Sequence, residues 1–141
     1  MGNGGDQMKR HKKIVSVIGI LIVVLFGTYM IGSGFRKMSQ VYIADYKISE
    51  DGTYMTIRVG VPTSIGYTRK ISTTQKSDGT LCLDIYAAFG GINGSIGAKS
   101  EFTIQLKDET SVIAVYRSKD YYDPVMRKSE NGEWQLLLRR D

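Results

Sequence analysis

The sequence has very little of the residues that carry most covalent cross-links and most acid–base chemistry. Its 141 residues include one cysteine and one histidine. A single cysteine excludes an intrachain disulfide framework and any zinc site that needs two thiolates. His11 lies in a basic cluster near the N-terminus, so the rest of the chain lacks the imidazole of a Ser-His or Cys-His nucleophile. The sequence therefore predicts no enzyme activity, no cofactor and no metal site.

Most of the chain also lacks excess charge. Residues 1–37 carry six Lys and Arg residues against one acid, whereas residues 38–141 carry 13 basic and 13 acidic residues. The net charge of +5 thus comes entirely from the first quarter of the chain. A neutral remainder has no long-range attraction for a polyanion, so we expect no nucleic-acid partner.

One long run has no charged residue at all. Residues 14–32 read IVSVIGILIVVLFGTYMIG, and nineteen residues at about 1.5 Å each reach roughly 28 Å, close to the hydrocarbon thickness of a bilayer. This run predicts a transmembrane helix that follows a basic tail over residues 1–13. Four basic residues precede it and two follow it, which predicts a cytoplasmic N-terminus and an extracytoplasmic C-terminal part. The alternative is a signal peptide cleaved near Gly34, where Gly-Ser-Gly is a poor small-x-small site.

Beyond a linker at residues 33–40, apolar residues alternate with polar ones. Such alternation is typical of strands with one face in a core. Residues 111–117 are apolar on both faces and predict a central strand, whereas residues 67–76 are mostly polar and predict an edge strand. Residues 41–141 are therefore predicted to form an all-β domain, an immunoglobulin-like two-sheet β-sandwich of about seven to eight strands. A small barrel is the alternative. The alternating runs are 55–61, 81–87, 102–107 and 134–138.

The connections between these strands differ in length. Short polar turns at 50–52, 77–79, 107–109 and 130–132 alternate along the chain with the longer connections 62–66, 90–99 and 118–124. Because consecutive strands usually run antiparallel, we expect the three long connections at one end of the domain, the end nearer the membrane. Their exposed apolar and aromatic residues are the predicted partner-binding residues. These are Ile92, Ile96, Tyr121 and Tyr122. The alternative for the two tyrosines is that they cover the edge of the core.

Three stretches of the sequence resemble those of a known group of proteins. They are GYTRK at 66–70, AAFGGINGSIGAKSEF at 87–102 and YRSKDYY at 116–122. The chain resembles a group of small, uncharacterised membrane-anchored proteins of Gram-positive bacteria that have one N-terminal span and an external β-domain. This resemblance implies location and shape only, and it implies no functional residue.

The sequence thus predicts a single-pass protein of the cell membrane whose external domain is a binding or structural module of the cell envelope. Its expected partners are the lipid bilayer, through residues 14–32, and a membrane protein, through the three long connections. The alternative is a secreted sugar- or peptide-binding β-domain released by cleavage near Gly34.

Overall fold

The protein consists of one long helix followed by eight strands. The computed structural model describes residues 4–62, 66–90 and 96–137, and Ile92 lies outside these ranges. The helix is α1 (Gly4–Ser33). The strands are β1 (Tyr42–Ile48), β2 (Tyr54–Gly60), β3 (Thr68–Gln75), β4 (Thr80–Ala87), β5 (Glu101–Gln105), β6 (Val112–Ser118), β7 (Tyr121–Lys128) and β8 (Trp134–Leu136).

Helix α1 contains the whole uncharged run. Its residues Gln7–Ser33 are long and apolar enough to cross a membrane. Their most apolar window has a mean hydropathy of 2.7 and contains no buried residue. The Thr28 hydroxyl donates to the Val24 carbonyl at 2.8 Å, so this polar group is satisfied within the helix. The prediction of one N-terminal apolar helix is confirmed. The helix begins at Gly4, so it also includes the basic cluster of residues 9–13.

The strands form two sheets. One has the order β1-β2-β5 and the other has the order β3-β4-β6-β7-β8. Neighbours run antiparallel except β4 and β6, which are parallel. The prediction of a mostly β domain with about eight strands is confirmed. So are the central place of β6 and the edge place of β3.

The two sheets enclose one hydrophobic core. Met55 and Ile57 from the smaller sheet and Leu83 and Ile113 from the larger one are fully buried. Removing such a side chain from water stabilises the fold by about 1.5–3 kcal/mol. Trp134, the only tryptophan, is also buried in this core. The alternation seen in the sequence therefore corresponds to the inner faces of both sheets.

The connections separate into two ends. Turns 76–79 and 106–111 meet where the Ser111 amide donates to the Gly79 carbonyl at 2.9 Å. At the opposite end, the Ala88 amide donates to the Tyr67 carbonyl at 2.7 Å. The strand pairing places the last residues of β2, β4 and β6 and the first residues of β3, β5 and β7 at this second end, beside the C-terminus of α1. We call it the helix end of the domain, and the other the far end.

The prediction of a long connection at residues 118–124 is wrong. Residues 118–124 do not form a loop, because Ser118 pairs with Tyr121 and only Lys119 and Asp120 connect β6 to β7. Asp120 has a φ of 64°, a conformation that aspartate tolerates and that closes a short hairpin. Pro124 lies within β7 next to a register shift, where the lack of an amide donor is accommodated. Tyr121 and Tyr122 are therefore strand residues.

Candidate functional site at the helix end

Helix α1 is bonded directly to the β-domain. The Gly90 amide donates to the Met30 carbonyl at 3.1 Å and to the Ser33 hydroxyl oxygen at 2.8 Å. The last carbonyls of a helix have no partner within the helix, so Gly90 satisfies one of them. Gly90 has a φ of 100°, which favours glycine. The turn after β4 therefore caps the helix from the side.

Aromatic and cationic groups close this junction. The rings of Phe35 and Phe89 meet edge to face at 5.7 Å between centroids. The guanidinium of Arg69 lies 4.4 Å from the centroid of the Phe89 ring, and its Nη2 donates to the Gly34 carbonyl at 2.6 Å. A cation over an aromatic face is attracted by the quadrupole of the ring. Arg69 thus binds the backbone after the helix and the turn after β4 at once.

The segment after the helix pairs with the larger sheet. The Ala87 amide donates to the Arg36 carbonyl at 3.0 Å, and the Met38 amide donates to the Ile85 carbonyl at 2.8 Å. Arg117 Nη1 donates to the carbonyls of Ser39 and Val41 at 2.7 and 2.8 Å. The residues that the sequence predicts as a linker are therefore hydrogen-bonded to β4 and β6.

Two adjacent clefts open at the helix end. One of about 280 Å³ lies between the segment after the helix and the ends of β2 and β4. The other, of about 370 Å³, shares Val61, Gly66 and Tyr67 with it and reaches Lys99. The described residues that line them include Arg36, Lys37 and Lys99 but no carboxylate. This lining favours an anionic or neutral ligand over a cation.

A second cluster lies on the outer face of the larger sheet. Asp84 accepts a hydrogen bond from Lys37 Nζ at 2.6 Å and another from the Tyr122 hydroxyl at 2.9 Å. The Tyr122 ring meets the Tyr116 ring edge to face at 5.9 Å. Burial, and secondly the hydrogen bond to Asp84, raise the pKa of Tyr122. The same carboxylate raises the pKa of Lys37 by accepting its hydrogen bond. Lys37 and Tyr122 thus remain protonated donors at neutral pH.

Cys82 precedes Asp84 by two residues in β4 and therefore lies on the same face of the sheet as this cluster. Its side chain is buried, and burial raises the pKa of its thiol. The Lys76 ammonium lies 5.3 Å from the centroid of the Tyr122 ring. A buried thiol with a raised pKa is a poor nucleophile. Cys82 is therefore a small packing residue in the sheet.

The predicted partner-binding residues do not all come together. Ile96 forms an isolated β-bridge with Phe89, and its side chain is 66% exposed. Tyr121 is 54% exposed, whereas Tyr122 is half-buried against Asp84. Ile96 therefore belongs to the junction and Tyr122 to the outer face of the sheet.

Sequence reasoning missed Gly34, Arg69 and Phe89 as junction residues, and Asp84 as the centre of the outer cluster. Arg69 lies 35 residues from its acceptor at Gly34, and Lys37 lies 47 residues from Asp84. No local pattern predicts contacts over such separations.

The described ranges contain no group of three His, Cys, Asp or Glu residues that could hold a metal ion. Asp123, near the hairpin turn, forms an ion pair with Arg117 Nε at 3.2 Å. No family model and no curated protein matches this chain. No solved structure matches it either.

Proposed function

We propose that this chain is a single-pass membrane protein that holds its β-domain as a binding or structural module at the outer surface of the cell membrane. The observation that carries the proposal is the junction. The helix apolar enough to span a bilayer is bonded to the domain through Gly90 and Arg69, without a free linker. A domain fixed in this way is held close to the lipid surface at a defined orientation.

The distribution of basic residues supports the proposed orientation. Lys9, Arg10, Lys12 and Lys13 precede the span, and Arg36 and Lys37 follow it. The excess of positive charge favours a cytoplasmic N-terminus. Lys37 is in addition paired with Asp84. This pairing increases the difference in effective charge between the two flanks.

The same junction favours an anchored protein over a secreted one. Gly34, at the alternative cleavage site, is buried, and its carbonyl accepts the hydrogen bond from Arg69. Cleavage there would separate Gly90 from its acceptors on Met30 and Ser33. The domain would lose bonds that it makes in the intact chain. We therefore propose that the helix is retained.

We propose that the domain is an immunoglobulin-like sandwich in the broad sense of that term. A three-stranded and a five-stranded sheet that share one core support this architecture. The parallel pair β4–β6 and the absence of a second cysteine distinguish the domain from antibody domains.

The proposed partner is a protein of the same membrane. Tyr121 is exposed at the start of β7, and the neighbouring Tyr122 packs edge to face against Tyr116 in the same hairpin. Tyrosines of this kind supply rigid contact area at interfaces. Arg117 in the same hairpin bonds to Ser39 and Val41, which places this surface beside the segment that leaves the membrane. A partner that contacts it is thereby expected to be close to the bilayer.

The orientation can be tested by adding protease to intact cells or protoplasts. We expect the β-domain to be degraded and the helix with its basic tail to remain protected. Survival of the domain until the membrane is broken would reverse the orientation. Recovery of free protein that begins near Phe35 would replace the anchor by a cleaved signal peptide.

The partner surface can be tested with a photo-crosslinking amino acid at position 121 or at position 54. Tyr54 is 46% exposed but lies next to the turn 49–53 at the far end of the domain. We expect a cross-linked membrane protein from position 121 and none from position 54. Equal yields from both positions would contradict a partner site at Tyr121.

A further inference from the structure

The helix end carries an apolar surface that continues directly from α1. Phe35 and Ile96 are each 66% exposed, and both contact Phe89, through ring packing and through a β-bridge respectively. Ile31, in the last turn of α1, is also exposed. Exposed apolar residues that adjoin one another mark an interaction site more often than scattered ones do. We call the exposed Phe35 and Ile96, together with the half-buried Phe89 that both contact, the junction patch.

The hydrogen bonds fix the level of this patch relative to the helix. Gly90 donates to Met30 and Ser33, so it lies at the last turn of α1, where the uncharged run ends. Paired strand residues have Cα atoms about 5 Å apart. Ile96 pairs with Phe89, so it lies at nearly the same level along the helix axis as Phe89 and Gly90. A bilayer has roughly 6 Å of headgroup region beyond the hydrocarbon on each side. If residues 14–32 span the hydrocarbon, the junction patch lies at the level of the headgroups.

Charge is distributed unevenly between the two ends of the domain. Connections at the helix end carry four basic residues, Arg36, Lys37, Lys99 and Lys119, and one acid, Asp120. Turns at the far end carry seven acids and two lysines. Within the described part of the chain, Arg36 and Lys99 are exposed and take part in no ion pair. The neutral domain is therefore polarised, with its positive end beside the helix.

We propose that the helix end of the domain is a lipid-binding surface. The junction patch inserts between the headgroups of the outer leaflet, and Arg36 and Lys99 contact the phosphates of anionic lipids. Aromatic and aliphatic side chains are favoured at this depth, and basic residues near an anionic surface are attracted to it. The proposal rests on the membrane span proposed above and assigns Ile96 to lipid.

The depth test uses the full chain in lipid vesicles with Cys82→Ser as background. An environment-sensitive fluorophore is placed on a cysteine introduced at position 96, 54 or 23. The vesicles contain lipids spin-labelled either at the headgroup or deep in the acyl chain. We expect the headgroup label to quench the probe at position 96 at least twofold more than the probe at position 54. The probe at position 23, in the middle of α1, should be quenched by the deep label.

The three positions separate the inference from the proposal on which it rests. A probe at position 96 that is quenched no more than the one at position 54, with position 23 quenched by the deep label, overturns lipid insertion and leaves the anchor intact. Absence of quenching at position 23 overturns the membrane span and the lipid surface together.

The charge test compares vesicles of phosphatidylcholine alone with vesicles that also contain phosphatidylglycerol. We expect the anionic lipid to increase quenching at position 96, and the double substitution Arg36→Gln and Lys99→Gln to abolish that increase. The matched control replaces two exposed basic residues of β7, Arg127→Gln and Lys128→Gln, and should retain the increase. Equal quenching in both vesicles, or loss of the increase in the control as well, overturns the contact with anionic headgroups.

Discussion

Gly34 lies so close to the ring of Phe89 that a Cβ at this position would come within 2.1 Å of the ring atom Cδ1. The nearest three ring atoms lie within 2.6 Å of that Cβ, so the ring cannot avoid it by a small shift. Gly34 is buried because Phe89 covers it, and Arg69 covers Phe89 in turn. The absence of a side chain at Gly34 thus permits Phe89 to pack against the backbone that follows the helix.

The first prediction is that Gly34→Ala loosens this attachment. The new methyl group displaces Phe89, which weakens its contacts with Phe35 and Arg69 and frees the Gly90 amide. We expect hydrogen exchange at residues 87–90 to accelerate about tenfold or more, which corresponds to roughly 1.4 kcal/mol of local opening. Gly32→Ala is the matched control, because a Cβ there meets nothing within 4 Å. The same acceleration in the control would show that the effect arises in the helix.

Most of the strands could be predicted from the sequence because their signal is local. The alternation around Met55 and Leu83 reflects the inner and outer faces of a sheet, and it can be recognised within each strand alone. Apolar residues on both faces of β6 likewise reflect burial of both faces, since the consecutive residues Ile113, Ala114 and Val115 are all buried. The length and apolar character of α1 are equally local. Such features need no knowledge of which strand pairs with which.

The junction and the outer cluster could not be predicted, because their residues come together only through the fold. Nothing near Gly34 or Lys37 in the sequence indicates Arg69 or Asp84 as partners. The prediction of a loop at residues 118–124, where Lys119 and Asp120 form a hairpin turn, failed for a different reason. A positive φ at Asp120 allows a two-residue turn, whereas the Tyr-Tyr-Asp-Pro sequence that follows is typical of a loop.

The second prediction concerns two turn glycines that differ only in their surroundings. Gly79 has a φ of 81°, and a Cβ there would lie 2.6 Å from the backbone oxygen of Glu109. Gly52 has a φ of 71°, with nothing within 4 Å of the corresponding position. Alanine in either place adopts an unfavourable backbone conformation at a cost of about 1–2 kcal/mol. Only Gly79→Ala adds a steric conflict with backbone.

Gly79→Ala is therefore expected to lower the free energy of unfolding by at least about 1 kcal/mol more than Gly52→Ala. Denaturant unfolding of the full chain in detergent measures the difference, with the fluorescence of the buried Trp134 as the probe. Equal losses in the two variants would mean that the turns at the far end shift enough to relieve the contact.

The third prediction concerns acid stability at Asp51. The Ser49 hydroxyl donates to this carboxylate at 2.5 Å, and the Thr53 amide and hydroxyl donate at 3.1 and 2.8 Å. These bonds lower the pKa of Asp51 to about 2. Because the folded pKa is below the unfolded value of about 3.9, the stabilisation is present above pH 4 and is lost as the pH falls toward 2.

Asp51→Asn should remove this part of the pH dependence. We expect the Tm of the variant to fall less between pH 4 and pH 2 than the Tm of the natural protein. Glu50→Gln removes the same formal charge one residue earlier and is the control. An unchanged pH profile in Asp51→Asn would contradict the role of the Ser49 and Thr53 hydrogen bonds.

The last prediction uses Cys82 to report on the outer cluster. Cys82 is buried on the face that carries Tyr122, and burial raises the pKa of its thiol, so little thiolate is present near neutral pH. Both causes slow its reaction with a maleimide. Tyr122→Ala removes a ring that contacts Tyr116 and that lies beneath the Lys76 ammonium. Water and reagent then reach the thiol, and its pKa returns toward the ordinary value. We expect labelling at pH 7.5 to become at least tenfold faster in Tyr122→Ala. Tyr121→Ala is the control: it removes the adjacent, exposed tyrosine, and labelling should remain slow.

Tyr122→Phe keeps the ring but loses the hydrogen bond to Asp84, so it distinguishes coverage by the ring from the hydrogen bond. Slow labelling in Tyr122→Phe together with fast labelling in Tyr122→Ala shows that the ring shields the thiol. Fast labelling in all three variants would instead indicate that β7 opens as a whole, and the outer cluster would then not be the rigid face that a protein partner requires.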